Sequence, residues 1–125
     1  MSVFTDPELA YMVGGRQLGR IATVGRDGTP HVVPVAWIYN AARDTIDVGG
    51  YELELTKKFR DVARGGRVAI VIDDVGGEDE WRPRGIEVRG RGEAIALPTP
   101  LIRIHPERIV SWGLARGTSA RDVTG

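Results

Sequence analysis

The chain has two lysines, Lys57 and Lys58, and they stand side by side after Thr56. The helical pattern that follows makes Thr56 a candidate N-cap residue. A helix start offers unpaired backbone N–H groups and the positive end of the helix dipole, to which two ammonium groups and a hydroxyl add charge and hydrogen bonds. The stretch therefore predicts a phosphate-binding site, although lysine pairs on helices are more often solvated surface charge.

Strand-like stretches precede this helix. Leu18–Val24 and His31–Tyr39 flank a Gly-Arg-Asp-Gly turn at 25–28, whose Asp-Gly pair favours a hairpin. Pro34 cannot donate a hydrogen bond to a strand ladder, so it indicates an edge strand or a bulge. A third strand over Thr45–Gly49 then delivers the chain to the lysine pair.

The helix itself should pack on a barrel through one apolar stripe. The helical spacing predicts that this stripe consists of Leu55, Phe59, Val62 and Ala63. Gly65-Gly66 should end the helix. The continuous apolar stretch Arg67–Ile72 that follows predicts a central strand covered on both faces.

The second half of the chain predicts two more strands. Asp73–Pro83 has the composition of a polar loop, and Arg84–Leu97 is a long strand that should bend at Gly90 and Gly92. A last strand over Leu101–Gly113 is interrupted at Pro106, and the tail Leu114–Gly125 is polar and should be loose. The sequence thus predicts one domain over residues 1–125, all-β with short helices, as a six-stranded antiparallel split β-barrel.

Composition excludes several function classes. Seventeen basic and seventeen acidic residues cancel, so the chain lacks the field of a nucleic-acid binder, and it has no cysteine and only two distant histidines for a metal site. No stretch has membrane length or the pattern of a signal peptide, which predicts a cytoplasmic protein. No nucleophile or acid–base constellation is visible, and a lone histidine at the start of a strand, such as His31, is more often a surface or hydrogen-bonded residue than a base. An anion site without chemistry of its own is best explained by a cofactor that carries the reaction.

The order of segments resembles the flavin/deazaflavin split-barrel family. This family includes pyridoxamine 5′-phosphate oxidases and oxidoreductases that use the deazaflavin coenzyme F420. The segments that carry the resemblance are residues 20–24, 28–35, 56–60, 67–69 and 104–113. Residues 81–88 and 120–123 are typical of the small actinobacterial F420-dependent branch.

The resemblance implies a homodimer with the cofactor in a groove between two FMN-binding-type split barrels. It implies that Thr56, Lys57 and Lys58 bind the cofactor phosphate. It implies that backbone contacts to the ring come from Pro34, Val35, Ala36, Gly49 and Gly50. Arg84 and Gly85 would approach the ring or its side chain, and Trp112 and Arg121 would close the pocket from the second subunit.

Three functions remain open at this point. The first is an F420-dependent reductase that passes hydride to a small organic molecule of unknown identity. The second is an FMN-dependent enzyme of the pyridoxamine phosphate oxidase type, which would need basic residues for a second phosphate. The third is a non-catalytic F420- or flavin-binding protein; binding of single-stranded nucleic acid is disfavoured because the chain is neutral.

Overall fold

A computed structural model describes residues 1–14, 18–76, 81–115 and 117–123. Within them, a short 3₁₀ turn at Leu53–Leu55 precedes the second of two helices. In chain order the elements are helix α1 (Asp6–Gly14), strands β1 (Gly19–Val24), β2 (Pro30–Val35), β3 (Trp37–Asn40) and β4 (Thr45–Val48), helix α2 (Lys57–Gly65), and strands β5 (Arg67–Gly76), β6 (Arg82–Ile95), β7 (Leu101–Trp112) and β8 (Ser119–Asp122). Among the described residues, neither helix is long and apolar enough to cross a membrane.

The strands form one curled antiparallel sheet in the order β2-β1-β5-β6-β7-β4-β3, with β8 also paired to β7. The predicted all-β fold with short helices is confirmed. The described residues hold eight strands rather than six, because the predicted second strand is broken at Ala36 into β2 and β3 and the C-terminal segment adds β8. Pro34 lies in β2 at the sheet edge, where its missing N–H costs no ladder bond, as predicted.

The core fills the concave face of the sheet. Register places Ile21, Ile70, Val88 and Ile109 in one row across β1, β5, β6 and β7, and all four are buried. The neighbouring row on the convex face contains Ala22 and Ala69, which are only partly covered. The prediction that β5 is buried on both faces is therefore wrong for the single chain, in which its residues alternate between core and convex face.

Helix α2 begins and ends where local rules placed it, but its buried stripe differs from the prediction. Thr56 is the N-cap residue and Gly66, with φ of 73°, is the left-handed C-cap. Val62 is buried and Phe59 is half-buried, whereas Leu55 is 64% exposed because it lies in the 3₁₀ turn before the helical period begins. Leu53 takes its place in the core.

Strands β6 and β7 bend together at Gly90. Arg89 pairs with Arg108 and Gly90 with Pro106, so one extra residue, Glu107, bulges from β7. A Cβ on Gly90 would collide with the carbonyl oxygen of His105, which explains why glycine occupies the bend. The predicted bend is confirmed.

Two predicted loops are partly wrong. Strands β5 and β6 continue through most of the expected loop at 73–83, as far as Gly76 and from Arg82 onward, and residues 77–80 lie outside those described. The tail is not loose over 119–122, because β8 pairs with β7 there. Arg116, in the same tail, lies outside the described residues.

Candidate functional site

The N-terminus of α2 is built around the Thr56 side chain. Its hydroxyl accepts a hydrogen bond from the Phe59 amide at 3.3 Å and donates one to the Leu53 carbonyl at 2.6 Å. It therefore caps α2 and ties the helix to the preceding 3₁₀ turn. The amides of Lys57 and Lys58 lie in the first helical turn, where no intrahelical acceptor exists for them.

Among the described residues no carboxylate pairs directly with Lys57 or Lys58, although Lys57 helps to lower the pKa of Asp61 through space. Within the described part of the chain, neither ammonium group forms a hydrogen bond or an ion pair. Both line a groove of about 520 Å³ between α2 and the edge strand β2. The groove is lined by Thr23, Pro30, His31, Val32, Val33, Thr56, Lys57 and Lys58. One end is thus cationic and the β2 wall is largely apolar, which suits a ligand with an anionic group attached to a flat apolar body.

A buried carboxylate lies beneath the cationic end. The Asp61 side chain is 1% exposed and accepts hydrogen bonds of 3.0 Å from Thr23 Oγ1, His31 Nδ1 and Arg64 Nη2. Burial alone would raise the pKa of Asp61, but the hydrogen bonds from His31, Thr23 and Arg64 outweigh it and lower the pKa to about 2. Asp61 is therefore a fixed anion that organises three side chains around itself.

The His31 ring is held on two sides. Its Nδ1 faces Asp61, and its Cε1 lies so close to Gly25 that a Cβ there would approach it to 2.7 Å. The sequence left His31 as either a surface or a hydrogen-bonded residue and did not identify Asp61 as its partner. The predicted hairpin turn at 25–28 could have placed His31 beside Thr23, because a tight turn there sets these two residues directly opposite each other.

The residues expected to contact the cofactor ring lie beside the groove rather than in its lining. Val35 points into the core at 6% exposure, whereas Pro34 and Ala36 are exposed at the end of β2. Gly49 and Gly50 follow β4, and no atom lies within 4 Å of a Cβ built on Gly49. Gly49 therefore has open space beside its Cα, and the role of all five positions in ring contact stays a prediction.

Arg84, Gly85 and Trp112 form a separate cluster. Arg84 makes a two-point ion pair with Asp74 at 2.7 and 3.0 Å, and its guanidinium carbon lies 5.2 Å from the centroid of the Tyr11 ring. Trp112 covers Gly85, where a Cβ would lie 2.7 Å from the indole. None of the three predicted residues lines the groove within one chain.

Arg121 is also engaged inside its own chain. Its guanidinium donates to both carboxylate oxygens of Glu8, at 2.6 and 3.0 Å, and to the Val3 carbonyl at 2.8 Å. Ser111 Oγ donates to the same carboxylate at 2.6 Å. Burial raises the pKa of Glu8, but these donors and the Thr5 amide outweigh it and lower the pKa overall. Arg121 thus compensates a buried charge, and its reach into a second subunit stays a prediction.

A larger concavity of about 850 Å³ lies at the other end of α2. Four arginines line it, namely Arg64, Arg67, Arg89 and Arg91. Arg64 and Arg89 are paired with carboxylates, and the helix presents its carbonyl-bearing C-terminus to this side. The smaller groove is therefore the better anion site. Among the described residues no three metal-ligating side chains converge.

Known proteins resemble this chain in sequence and in fold. The family model for pyridoxamine 5′-phosphate oxidase matches residues 5–122. A 5a,11a-dehydrotetracycline/5a,11a-dehydrooxytetracycline reductase from Streptomyces rimosus is 40% identical over 136 residues, covering 97% of this chain and 94% of the reductase.

Solved structures share the fold at lower identity. A conserved hypothetical protein from Mycobacterium tuberculosis has a TM-score of 0.72 at 20% identity, covering 88% of this chain and 85% of its own. An FAD-binding protein from Mycobacterium smegmatis has a TM-score of 0.64 at 22% identity, covering 89% and 96%. A structure described as an F420 reductase has a TM-score of 0.60 at 19% identity, covering 78% and 92%. These likenesses confirm the split-barrel fold.

Proposed function

Because the chain belongs to the pyridoxamine 5′-phosphate oxidase family, we propose that it is an oxidoreductase whose redox cofactor binds through its phosphate at Thr56, Lys57 and Lys58. One observation carries the proposal. Two ammonium groups that form no salt bridge within the described residues stand at the capped N-terminus of α2 and line a groove with an apolar wall. Backbone amides, helix dipole and ammonium groups all favour an anion at the same place.

The proposed cofactor is the deazaflavin coenzyme F420. A structural relative is described as an F420 reductase and a sequence relative as a reductase, which supports this choice. FMN is the alternative, since other structural relatives are described as FAD-binding. A pyridoxamine phosphate oxidase must also bind the phosphate of its substrate. Within the described residues Arg84 and Arg121 each form an ion pair with a carboxylate, so neither is free to bind that phosphate.

The chain's own residues bind and orient in this proposal. A bound deazaflavin supplies the hydride that reduces a small organic acceptor. The lysine pair anchors the phosphate, and the Pro30–Val33 wall excludes water from one side of the groove. No protein acid or base is required for hydride transfer itself. The name of the Streptomyces relative gives dehydrotetracyclines as its substrates, so unsaturated fused-ring compounds belong among the acceptors to be tried.

We also propose that two chains form a homodimer through the convex face of the sheet. Register sets Ala22 beside Val32 and Ala69, and Val110 beside Ala120, all on that face. Val32 is 66% exposed, and the others are partly or fully accessible in one chain. This face mixes apolar residues with charged ones such as Arg20 and Glu87, a composition that suits contact with a second copy, and that copy would place its own residues at the open groove.

Cofactor choice is tested by direct binding. Purified protein is titrated with F420, FMN and FAD, and binding is followed by the quenching of cofactor fluorescence. The proposal expects F420 to bind most tightly. A clear preference for FMN would overturn the choice of cofactor, and failure of all three to bind would overturn the proposal itself.

Turnover separates an enzyme from a carrier. Reduced F420 is mixed with the protein, and its reoxidation is followed while quinones, enones and dehydrotetracyclines are offered in turn. An enzyme accelerates reoxidation with at least one acceptor class. Binding without acceleration by any acceptor would favour the non-catalytic cofactor-binding protein.

The dimer is tested by a charge on the convex face. Val71 lies on this face in β5, directly between Arg20 and Glu87 in register. Val71→Glu should produce monomers in size-exclusion chromatography with light scattering, because it places a second carboxylate beside Glu87 on the buried face, and the neighbouring Arg20 is already paired with Asp73. Leu97→Glu, at a residue 81% exposed between β6 and β7, is the control and should leave the dimer intact. A monomeric wild-type chain would refute this part of the proposal.

A further inference from the structure

The buried Asp61 carboxylate needs an explanation, because it lies under a site that should attract anions. An aspartate 1% exposed beneath two lysines weakens the attraction for a phosphate unless it also provides something. Its three hydrogen-bond donors show what it provides: Thr23, Arg64 and His31 are all fixed by it. Of these, only His31 also lines the groove as a titratable side chain.

Asp61 fixes the tautomer of His31. An ionised carboxylate has no proton to donate, so His31 Nδ1 must carry the hydrogen in their 3.0 Å contact. In the neutral ring Nε2 is then a bare acceptor, and it becomes a donor only when the ring is protonated. Within the described residues Nε2 has no hydrogen-bond partner, and the side chain is 31% exposed.

An anion in the groove changes which form of the ring is favoured. A phosphate oxygen facing a bare Nε2 places two lone pairs against each other, whereas a protonated Nε2 donates a charge-assisted hydrogen bond. We propose that His31 is a third anion-binding group and that phosphate binding is coupled to the uptake of one proton at its Nε2. This inference rests on the proposed phosphate site at Lys57 and Lys58.

The proton balance involves every charged group around the ring. Helix α2 contributes Asp61, which favours the protonated ring, and Arg64 with the two lysines, which oppose it. The β1–β2 turn contributes Asp27, whose carboxylate also favours the cation. Strand β1 contributes only the uncharged Thr23. A bound phosphate adds negative charge and shifts the balance toward protonation, and the proton comes from solvent or from the ligand's own acidic oxygen.

Proton uptake is measured by calorimetry. FMN or F420 is titrated into the protein at pH 7 in two buffers of different ionisation enthalpy, and the difference in observed heat gives the number of protons taken up. Wild type should take up more protons than His31→Gln, by a fraction approaching one, and its affinity should exceed that of the variant by about tenfold at pH 6 and less at pH 8. Subtracting the variant cancels the titration of the ligand's own phosphate.

The chain offers two matched variants. His105 pairs with Glu93 through Nε2 at 3.0 Å but does not line the groove, so His105→Gln should leave proton uptake unchanged. Gly25→Ala keeps the imidazole but places a methyl group 2.7 Å from the present position of its Cε1, so the ring must shift relative to Asp61 and proton uptake should fall toward that of His31→Gln. Gly25→Ala therefore tests whether proton uptake depends on the position of the His31 ring, whereas His31→Gln tests only whether the ring is needed.

Nitrogen NMR of the two histidines gives an independent readout. The free protein should show His31 as the Nδ1–H tautomer, and ligand should move the Nε2 resonance from the unprotonated toward the protonated position. Equal proton uptake in wild type and His31→Gln, or an Nε2–H tautomer in the free protein, would overturn the inference while leaving the phosphate site standing. Loss of binding in Lys57→Ala would still support that site, and absence of wild-type binding would refute both.

Discussion

Removing both ammonium groups of the lysine pair is the sharpest test of the candidate site. Lys57 is exposed and Lys58 half-buried, and neither forms a salt bridge within the described residues. In Lys57→Ala/Lys58→Ala, Asp61 loses the through-space effect of Lys57 but keeps its three hydrogen bonds. The free energy of unfolding should change by no more than about 0.5 kcal/mol. The folded structure is thus preserved while the anion loses two donors.

The expected loss of affinity follows from the number of donors removed. Charge-assisted hydrogen bonds to phosphate are worth about 1.5–3 kcal/mol each and are not additive, so the double variant should lose about 2–4 kcal/mol of binding free energy. This corresponds to a rise of about 30- to 700-fold in the cofactor Kd. The Thr56 cap and the helix amides remain, so some binding should persist.

Fluorescence titration measures this loss, and a charge-matched variant controls for it. Arg43→Ala/Arg60→Ala also removes two positive charges; Arg60 lies on α2 itself and bonds the Leu55 carbonyl, and neither arginine lines the groove. Its Kd should stay within about twofold of wild type, since exposed charges outside the contact are screened. An unchanged Kd in the lysine variant, or an equal loss in the arginine variant, would refute a local phosphate site.

Three further outcomes test how the fold supports this site. Thr56→Ala should lower the free energy of unfolding by about 1 kcal/mol in urea denaturation, because it removes the α2 cap, and Thr56→Ser should restore it. Gly90→Ala should cost about 3 kcal/mol or prevent folding, since its Cβ would strike the backbone of β7, whereas Gly65→Ala, with no atom within 4 Å, should be neutral or stabilising. The pKa of Asp61 is lowered from 3.8 to about 2 in the folded chain, so its contribution is present at neutral pH and is lost as pH falls from about 5 toward 2. Asp61→Asn should lower stability at pH 7 and flatten the acid side of the stability profile; a profile as steep as that of wild type would contradict this.

Local rules predicted the elements that depend on neighbours in sequence. The Thr56 cap and the glycine end of α2 were predicted correctly because each is decided within a few residues. The bend at Gly90 was also predicted, from a glycine in a long strand, although its cause is the close approach of His105 in β7. Leu55 was predicted wrongly because the helical period was extended to one residue before the Thr56 cap, where the chain is in a 3₁₀ turn. In the 3₁₀ turn Leu53 is buried and Leu55 is exposed.

Contacts between distant residues were not predictable in the same way. Asp61 and His31 are 30 positions apart, and Glu8 and Arg121 are 113 positions apart. The sequence spacing of these residues does not indicate that they form pairs. The tail looked loose because its polar residues have no apolar period, yet backbone pairing with β7 and the Glu8 ion pair hold it. The identity of the cofactor rested on family resemblance, since charge and helix geometry specify an anion without specifying the ring attached to it.

The ion pair between Glu8 and Arg121 affects when the protein can finish folding. Helix α1 leaves the ribosome early, but its buried carboxylate is satisfied by Ser111 and Arg121, which are separated from it by 103 and 113 positions. Until β8 is synthesised, closing the core around Glu8 would bury a charge lacking its cation. Assembly of the barrel is therefore expected to be completed only after residue 121 has emerged, so a nascent chain arrested before β8 should remain sensitive to protease.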